Sequence, residues 1–284
     1  MTATSPVLID DELHQSLVRR WLAPRERDAH KGDFGPLLVI GGDAGYSGAA
    51  LLAAETALRA GAGVTVVACA PATAAGLWLH RPELMARAVQ DRAGLLPLLA
   101  MARVVVAGPG LGRGSWAQGL WPTVVEAGRL QVLDADGLNW LADNPQPHPA
   151  RVLTPHPGEA ARLLGCSVAA VQADRPAAVR SLQQRHGGVV ILKGAGSLIA
   201  DETRLWQCPA GNPGMATPGM GDVLSGLVGA LLAQGLPLFE AAALAVSLHA
   251  RAGDAVTAAQ GERGLLASEL WPALRVLLNP DVAR

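Results

Sequence analysis

The chain has 284 residues, of which 50% are hydrophobic and 17% are charged, so it can bury a large core. Its formal net charge is −1 and it has no basic run, which argues against nucleic acid as a partner. Three cysteines without a CxxC spacing fit reduced thiols, and no segment resembles a signal peptide. The most apolar segments are too short to span a bilayer. We therefore expect a soluble, cytoplasmic protein.

The first predicted element is an amphipathic helix over residues 10–22, with Leu13, Leu17 and Trp21 on one side. A polar loop follows this helix. We therefore divide the chain into an N-terminal preface, residues 1–30, and a single domain, residues 31–284.

The domain alternates between apolar runs and helical stretches, and each run is followed by a glycine-rich or polar loop. Strands are predicted at 37–40, 64–69, 104–107, 131–133, 152–153 and 189–192. Helices are predicted at 47–59, 222–234, 238–260 and 267–278. This pattern is typical of βα units in an α/β fold with a mainly parallel sheet. Ligands of such sheets bind beyond the carboxyl ends of the strands, so we expect the loop motifs to share one cleft.

The most informative motif places Asp222 after Gly214, Gly219 and Gly221, at the start of an apolar helix. Glycines allow backbone N–H groups to approach a ligand, and a helix amino terminus attracts anions. Asp222 could be a simple helix N-cap. An N-cap needs no glycine run before it, however, whereas a phosphate site beside a catalytic base needs both features. We therefore favour Asp222 as a general base.

Three other motifs follow predicted strands, and each has a structural alternative. His156 lies between two prolines that restrict its backbone, but it could belong to an ordinary turn. Lys193 opens a Lys-Gly-Ala-Gly-Ser segment, which could be a β-turn with a solvated lysine. Asp134 and Asp136 could help to hold Mg²⁺, or Asp136 could cap a helix. The chain has no GxGxxG and no Gly-Lys-Ser/Thr, which argues against Rossmann dehydrogenases and P-loop enzymes.

Taken together, the motifs resemble those of the ribokinase-like superfamily, and most closely the ADP- or ATP-dependent NAD(P)H-hydrate dehydratases. The resemblance covers residues 30 to about 260 and rests on an ordered set of segments. They are His30-Lys-Gly-Asp-Phe-Gly, Gly48-Ala-Ala, Ala60-Gly-Ala-Gly, Gly108-Pro-Gly-Leu-Gly, Asp134-Ala-Asp-Gly-Leu-Asn, Thr154-Pro-His-Pro-Gly-Glu, Leu192-Lys-Gly-Ala-Gly-Ser and Ala216-Thr-Pro-Gly-Met-Gly-Asp-Val-Leu-Ser-Gly.

The resemblance implies a role for individual residues. The hydrated dinucleotide would contact Ala49, Gly110, His156 and Asp222. The nucleotide would contact Lys193, Gly194, Ala195, Gly196, Ser197 and Gly221. Gly219, Met220 and Gly221 would form an anion hole.

The implied reaction restores NADH or NADPH from the S epimer of its hydrate. A phosphoryl group from ADP or ATP, with Mg²⁺, would activate the ring hydroxyl, and loss of phosphate would restore the double bond. Similarity to bacterial members favours ADP, and the family suggests a homotetramer. Many relatives carry an additional N-terminal epimerase domain, and with only about 30 residues before the matched region we expect no epimerase activity.

Two rival functions use the same motifs. A small-molecule kinase of the hydroxyethylthiazole or hydroxymethylpyrimidine type would share Asp222 but leave a stable phosphorylated product. A nucleotide-binding regulator would bind nucleotide without turnover. The Thr-Pro-His-Pro-Gly-Glu and Gly-Pro-Gly-Leu-Gly segments argue against the kinase, and an intact Asp222 argues against the regulator.

Overall fold

A computed structural model of the chain describes residues 5–280. Its strands are β1 (Val7–Leu8), β2 (Pro36–Ile40), β3 (Val64–Cys69), β4 (Met85–Ala88), β5 (Val104–Ala107), β6 (Leu130–Leu133), β7 (Arg151–Leu153), β8 (Val189–Leu192), β9 (Ser197–Ala200) and β10 (Leu205–Cys208). Its α-helices are α1 (Asp11–Trp21), α2 (Ser47–Arg59), α3 (Pro71–His80), α4 (Arg92–Met101), α5 (Ser115–Val125), α6 (Asp136–Asp143), α7 (Pro157–Leu164), α8 (Val168–Ala173), α9 (Arg175–His186), α10 (Met220–Ala233), α11 (Leu238–Gln260) and α12 (Leu270–Leu277).

The strands form one sheet in the order β1-β10-β9-β8-β7-β6-β5-β2-β3-β4. Within it, β9 runs antiparallel to both of its neighbours, and the other pairs are parallel. The predicted parallel α/β sheet is therefore confirmed, and all six predicted strands are present. From β2 the chain moves outward to β3 and β4, then returns to the other side of β2 as β5. The strand order reverses there, between β2 and β5, which is where ligands of open α/β sheets bind.

Helices cover both faces of the sheet, because the buried strands carry apolar side chains on both sides. One face packs against α1, α2, α10, α11 and α12. The other packs against α4, α5, α6, α7 and α9. The result is a three-layer α/β/α arrangement.

The N-terminal segment shares this core. The predicted amphipathic helix is confirmed as α1, which is capped by the Asp10 carboxylate. His14 Nδ1 lies 2.9 Å from Ser247 Oγ on α11, in a buried contact. Ile9 is fully buried, and the strand before it pairs with β10. Residues 7–21 therefore pack on the same sheet as the rest of the chain.

The helix that carries Asp222 is buried on nearly every side. The sequence predicts one apolar face, yet every α10 residue from 223 to 233 is buried. Two glycines make this possible. A Cβ on Gly226 would lie 2.1 Å from the Ala53 carbonyl oxygen of α2, and one on Gly229 would lie 2.5 Å from Val106 of β5. Both spaces are filled by neighbouring atoms, so α10 is held between α2 and the sheet.

Among residues 5–280, none of the helices combines the length and the apolar character needed to cross a membrane.

The contact between α10 and α2 leads to a stability prediction. Gly226→Ala should lower the free energy of unfolding by about 1–3 kcal/mol, because the methyl group would force two helix backbones apart. Gly76→Ala is the matched control, since a Cβ on this α3 glycine has nothing within 4 Å. It should raise stability by about 0.5–1 kcal/mol through helix propensity. Urea unfolding of both variants measures the difference, and equal effects would contradict this account of α10 packing.

Candidate active site

Loops at the carboxyl ends of β2, β5, β6, β7 and β8 meet the amino end of α10, as the sequence predicts. The loops after β5 and β6 are in contact at Gly108, where a Cβ would lie 1.7 Å from the Asp134 carbonyl oxygen. The loop after β8 and the amino end of α10 are also in contact at Gly221, where a Cβ would lie 3.1 Å from Lys193 Nζ. The loops after these five strands and the glycine loop before α10 therefore form one site.

The glycine loop ends in a left-handed residue, and this changes the role of Asp222. Gly219 has φ +93° and is the N-cap, so the helix begins at Met220 and Asp222 is its third residue. The N-cap alternative for Asp222 is therefore wrong. The first helical bond runs from Val223 N–H to the Gly219 carbonyl. The N–H groups of Met220, Gly221 and Asp222 precede it and point out of the helix end, where they can bind an anion.

Lys193 is the centre of the charged part of the site. Its Nζ lies 2.7 Å from Asp134 Oδ1 and 3.9 Å from Glu159 Oε2. Burial would lower the pKa of Lys193, but the charges of Asp134, Glu159 and Asp222 outweigh it and raise that pKa above its ordinary value. The predicted turn is present between β8 and β9, but the lysine is not solvated, because its side chain is only 18% exposed.

Asp134 is held as a carboxylate although its surroundings exclude water. Burial would raise the pKa of Asp134, but Lys193 and the Ser225 hydroxyl overcome this and hold it below its ordinary value. Ser225 Oγ donates to Asp134 Oδ2 and also lies 2.9 Å from the Gly221 carbonyl oxygen. The serine thus ties the strand end of Asp134 to the first turn of α10.

Asp222 and Glu159, unlike Asp134, have pKa values above the ordinary value of a carboxyl group. Burial raises the pKa of Asp222 to about 7, with a further contribution from the Asp134 charge. Burial likewise raises the pKa of Glu159 to about 7, although Lys193 opposes it. One cation cannot neutralise three neighbouring carboxylates, so two of them gain or lose a proton near neutrality. A group with such a pKa is suited to accept a proton at physiological pH.

His156 is the N-cap of α7, which agrees with the turn alternative. Its contact with substrate stays a prediction. Its Nδ1 accepts N–H bonds from Gly158, at 2.9 Å, and Glu159, at 3.4 Å. Burial and the Lys193 charge lower the pKa of His156. The neutral ring must then carry its hydrogen on Nε2. The side chain is 56% exposed, so this donor can reach a ligand.

Asp134 and Asp136, the suggested Mg²⁺ pair, bond to different partners: Asp134 to Lys193 and Ser225, and Asp136 to the loop after β5. The Asp136 carboxylate accepts the Gly112 N–H at 2.9 Å and the Asn139 amide at 3.2 Å. Asp136 is not a helix N-cap, because Ala135 occupies that position with φ 47°. Asp136 instead fixes the loop after β5. Within the described part of the chain, no group of three His, Cys, Asp or Glu side chains is arranged to hold a metal ion.

The remaining predicted contacts lie at the two ends of this cluster. Gly110, with φ +60°, lies on the loop after β5, and Ala49 lies in the first turn of α2. At the other end, the turn formed by Gly194, Ala195 and Gly196 is exposed at its tip. Arg175 supports that turn by donating to the carbonyl groups of Leu192, Lys193 and Gly196.

Two residues of the cluster were missed as functional candidates. Glu159 lies three residues after His156, and its carboxylate accepts the His156 N–H in a capping box. The same carboxylate also faces Lys193, a contact across strands that local spacing does not reveal. Ser225 follows Asp222 by three residues, so it lies on the same face of the helix. That spacing was the available signal.

A cavity of about 970 Å³ lies elsewhere, beside the carboxyl-terminal ends of α2 and α10, and none of the predicted site residues lines it. Its arginines have structural partners. Arg25 donates to the Gly61 carbonyl at 2.8 Å, and Arg59 and Arg81 lie 2.7 and 2.6 Å from Glu55. These three arginines are therefore engaged by other groups of the protein.

The raised pKa of Asp222 makes a stability prediction. The folded state keeps a proton on Asp222 up to about pH 7, whereas the unfolded chain loses it near pH 4. This group therefore contributes stability at low pH and loses it as pH rises through about 7. Asp222→Asn should raise the free energy of unfolding at pH 8 by on the order of 1 kcal/mol, with no gain near pH 4.

Urea unfolding at the two pH values measures this effect. The control is Asp143→Asn, which removes an exposed carboxylate paired with Arg113 and should change stability by less than about 0.5 kcal/mol at either pH. A loss of stability in Asp222→Asn at pH 8 would show that the folded state does not disfavour the charged form of Asp222.

Comparison with known proteins identifies the family of this chain. The sequence model of the NAD(P)H-hydrate dehydratase family matches residues 37–275. The chain is 53% identical to the bifunctional NAD(P)H-hydrate repair enzyme of Coxiella burnetii, over 91% of this chain and 53% of that protein. It is 44% identical to the ADP-dependent (S)-NAD(P)H-hydrate dehydratase of Neisseria meningitidis, over 90% and 88% of the two chains.

A solved structure shows the same fold. It is the ADP/ATP-dependent NAD(P)H-hydrate dehydratase of Bacillus subtilis, co-crystallised with ATP and Mg²⁺. It is 28% identical, has a TM-score of 0.85, and the alignment covers 98% of this chain and 99% of that one. The chain spans about half the length of the bifunctional relatives that it matches. The chain belongs to the NAD(P)H-hydrate dehydratase family, and its fold is ribokinase-like.

Proposed function

We propose that this chain dehydrates the S epimer of hydrated NADH or NADPH, with ADP or ATP as the phosphoryl donor. The observation that carries the proposal is Asp222, a buried carboxyl with a pKa of about 7 in the first turn of α10. It lies beside N–H groups of the helix end that can bind the phosphoryl group, which the ring hydroxyl attacks. Proton acceptor and anion site therefore share one helix turn.

In the first step, Asp222 accepts the proton of the ring hydroxyl while that oxygen attacks the terminal phosphorus of the nucleotide. A phosphorus–oxygen bond forms, and the bond to the leaving nucleotide breaks. The N–H groups of Met220 and Gly221 stabilise negative charge on the transferring group. Lys193 contributes a positive charge, because its Nζ lies directly beside Gly221. Transfer of this kind depends mainly on positioning and electrostatics.

In the second step, the phosphate leaves with the electron pair of its carbon–oxygen bond, and the neighbouring ring carbon loses a proton. The double bond of the dihydronicotinamide is thereby restored. With ADP the complete balance is hydrate plus ADP giving NADH, AMP, phosphate and one proton, which passes to solvent. Phosphate is a far better leaving group than hydroxide, which explains why a nucleotide is consumed.

Mg²⁺ fits the residues of the site as a nucleotide-bound ion. Asp134, Glu159 and Asp222 supply more negative charge than Lys193 neutralises. The carboxylate oxygens of Glu159 and Asp134 would hold the ion. Mg²⁺ is usually held by one or two carboxylates together with phosphate oxygens, so a cluster of three is not required. Bound there, it would offset charge on the transferring phosphoryl group.

ADP is the proposed donor because the Neisseria relative, which matches over most of both chains, is named ADP-dependent. The dehydratase family match favours this function over the small-molecule kinase. The specific contacts of Ala49, Gly110, His156 and residues 193–197 remain part of the proposal. A homotetramer and a cytoplasmic location stay predictions.

The direct test combines hydrated NADH with ADP or ATP and Mg²⁺. Absorbance of the dihydronicotinamide should return together with one phosphate per molecule. Asp222→Asn should lower kcat by about 10²–10⁴-fold, the usual contribution of a general base. Asp143→Asn removes an exposed carboxylate that is not part of this cluster, so it should keep normal turnover.

Other products would identify a rival. A stable phosphorylated product would support the kinase, and nucleotide binding without turnover would support the regulator. Near-normal turnover of a folded Asp222→Asn variant would remove Asp222 as the base.

The pKa of Asp222 also predicts a pH profile. Activity requires the deprotonated carboxylate, so kcat/KM should rise with pH through about 7. Lys193→Met removes a charge that lowers the pKa of Asp222, so the remaining activity should rise only at higher pH. Initial rates from pH 5 to 9 measure the midpoint. A midpoint that is unchanged in Lys193→Met would mean that Lys193 does not act on the base.

A further inference from the structure

Tyr46 is the only tyrosine of the chain, and its side chain is not part of the hydrophobic core. It is 61% exposed and comes directly before the first turn of α2. Large aromatic side chains usually bury most of their surface, because each removes 150–250 Å² from water when buried. A single exposed aromatic is ordinary on a protein surface. Its location therefore decides whether Tyr46 has a function.

Tyr46 lies on a ledge made of two loops, residues 41–46 and 108–112. The loops are joined by Gly42 N–H to the Pro109 carbonyl, at 3.1 Å, and by Asp43 N–H to the Gly110 carbonyl, at 2.7 Å. A Cβ on Gly110 would lie 3.0 Å from Tyr46 Cβ and 2.3 Å from the Tyr46 carbonyl oxygen. The tyrosine side chain thus begins directly against the glycine that is proposed to contact substrate.

Two side chains of α6 hold the ledge in place through the backbone of Gly112. Asp136 accepts the Gly112 N–H, and Trp140 Nε1 donates to the Gly112 carbonyl at 3.0 Å. The loops follow β2 and β5, the strands between which the sheet order reverses. Tyr46 therefore projects from a fixed platform at the point where an open α/β sheet receives its ligand.

The ledge also lies close to the anion site. Leu52 of α2 occupies the space beside Gly219, since a Cβ there would lie 2.6 Å from Leu52 Cδ1. Tyr46 precedes Leu52 by six residues, which is about 9 Å along a helix.

We propose that Tyr46 is a specificity-determining residue whose ring packs on the hydrated nicotinamide and holds its hydroxyl toward Asp222. This inference rests on the proposed function. The hydrated ring keeps a planar conjugated amide segment, against which an aromatic side chain can pack. Tyrosine offers a large contact area with few rotatable bonds, so little entropy is lost when it becomes ordered.

Kinetics with two substrates test which part of the substrate Tyr46 contacts. Tyr46→Ala should raise KM for hydrated NADH by about tenfold, change kcat by less than about threefold, and leave KM for ADP unchanged. Tyr46→Phe should behave as wild type. Hydrated nicotinamide mononucleotide, which lacks the adenosine half, should show the same tenfold rise. Met101→Ala, an exposed side chain on α4 before β5, is the control and should change neither constant.

The single tyrosine also allows a spectroscopic test that does not depend on turnover. With 3-fluorotyrosine incorporated throughout, the full chain gives one ¹⁹F resonance, from Tyr46. In the absence of nucleotide, both hydrated NADH and the hydrated mononucleotide should shift it. ADP alone should leave it in place, because the turn after β8 lies on the other side of Asp222.

The outcomes separate this inference from the proposed function. A shift with hydrated NADH but not with the mononucleotide, or a shift with ADP alone, overturns the inference. So does calorimetric binding of hydrated NADH without any shift, or a Tyr46→Ala variant with unchanged KM. If neither hydrate binds or turns over in the wild-type chain, the proposed function fails, and the inference fails with it.

Discussion

The ion pair between Lys193 and Asp134 is the interaction on which the rest of the site depends. Lys193 Nζ lies 2.7 Å from a carboxylate that is almost completely buried, at the ends of two strands, β8 and β6, that are separated by β7. Breaking a buried pair by removing one partner leaves an unpaired charge, which commonly costs about 3–5 kcal/mol. Because the lysine is committed to Asp134, it neutralises Asp222 and Glu159 only in part. Burial therefore raises the pKa of both carboxyls to about 7, because the Lys193 charge opposes that effect only in part.

The same pair constrains the backbone around it. Glycine at position 221 leaves room for the pair, since a Cβ would lie 3.1 Å from Lys193 Nζ and 3.4 Å from Asp134 Oδ2. The helix end can therefore approach the ion pair closely enough for Ser225 to bond to Asp134. The small residues at which α10 meets α2 and the sheet serve the same end. They let a helix that is buried on nearly every side place its amino terminus beside a charged strand end.

The sequence predicts the strands of the parallel sheet and the gathering of its loops, because continuous apolar runs and glycine clusters are local signals. It does not predict β1, β4, β9 or β10. In β4, Met85–Ala88, the side chains are mostly exposed at a sheet edge, so no apolar run marks it. Contacts between distant residues are also hidden. Asp136 was paired with Asp134 by spacing, yet it bonds to Gly112 on another loop. Glu159 matches a helix cap so well that its second contact, with Lys193, leaves no trace in the local pattern.

The two halves of the site differ in what they offer a ligand, and the proposed chemistry requires that difference. On one side, the turn after β8 and the end of α10 present a cation and backbone N–H groups, which suit phosphate. On the other, the loops after β2 and β5 present glycines and an exposed aromatic ring, which suit a flat and mostly uncharged heterocycle. Asp222 lies where the two surfaces meet. A carboxyl placed there, with a pKa near neutrality, can take a proton from one ligand just as that ligand attacks the other. A site built only for phosphate would bind the donor without orienting an acceptor.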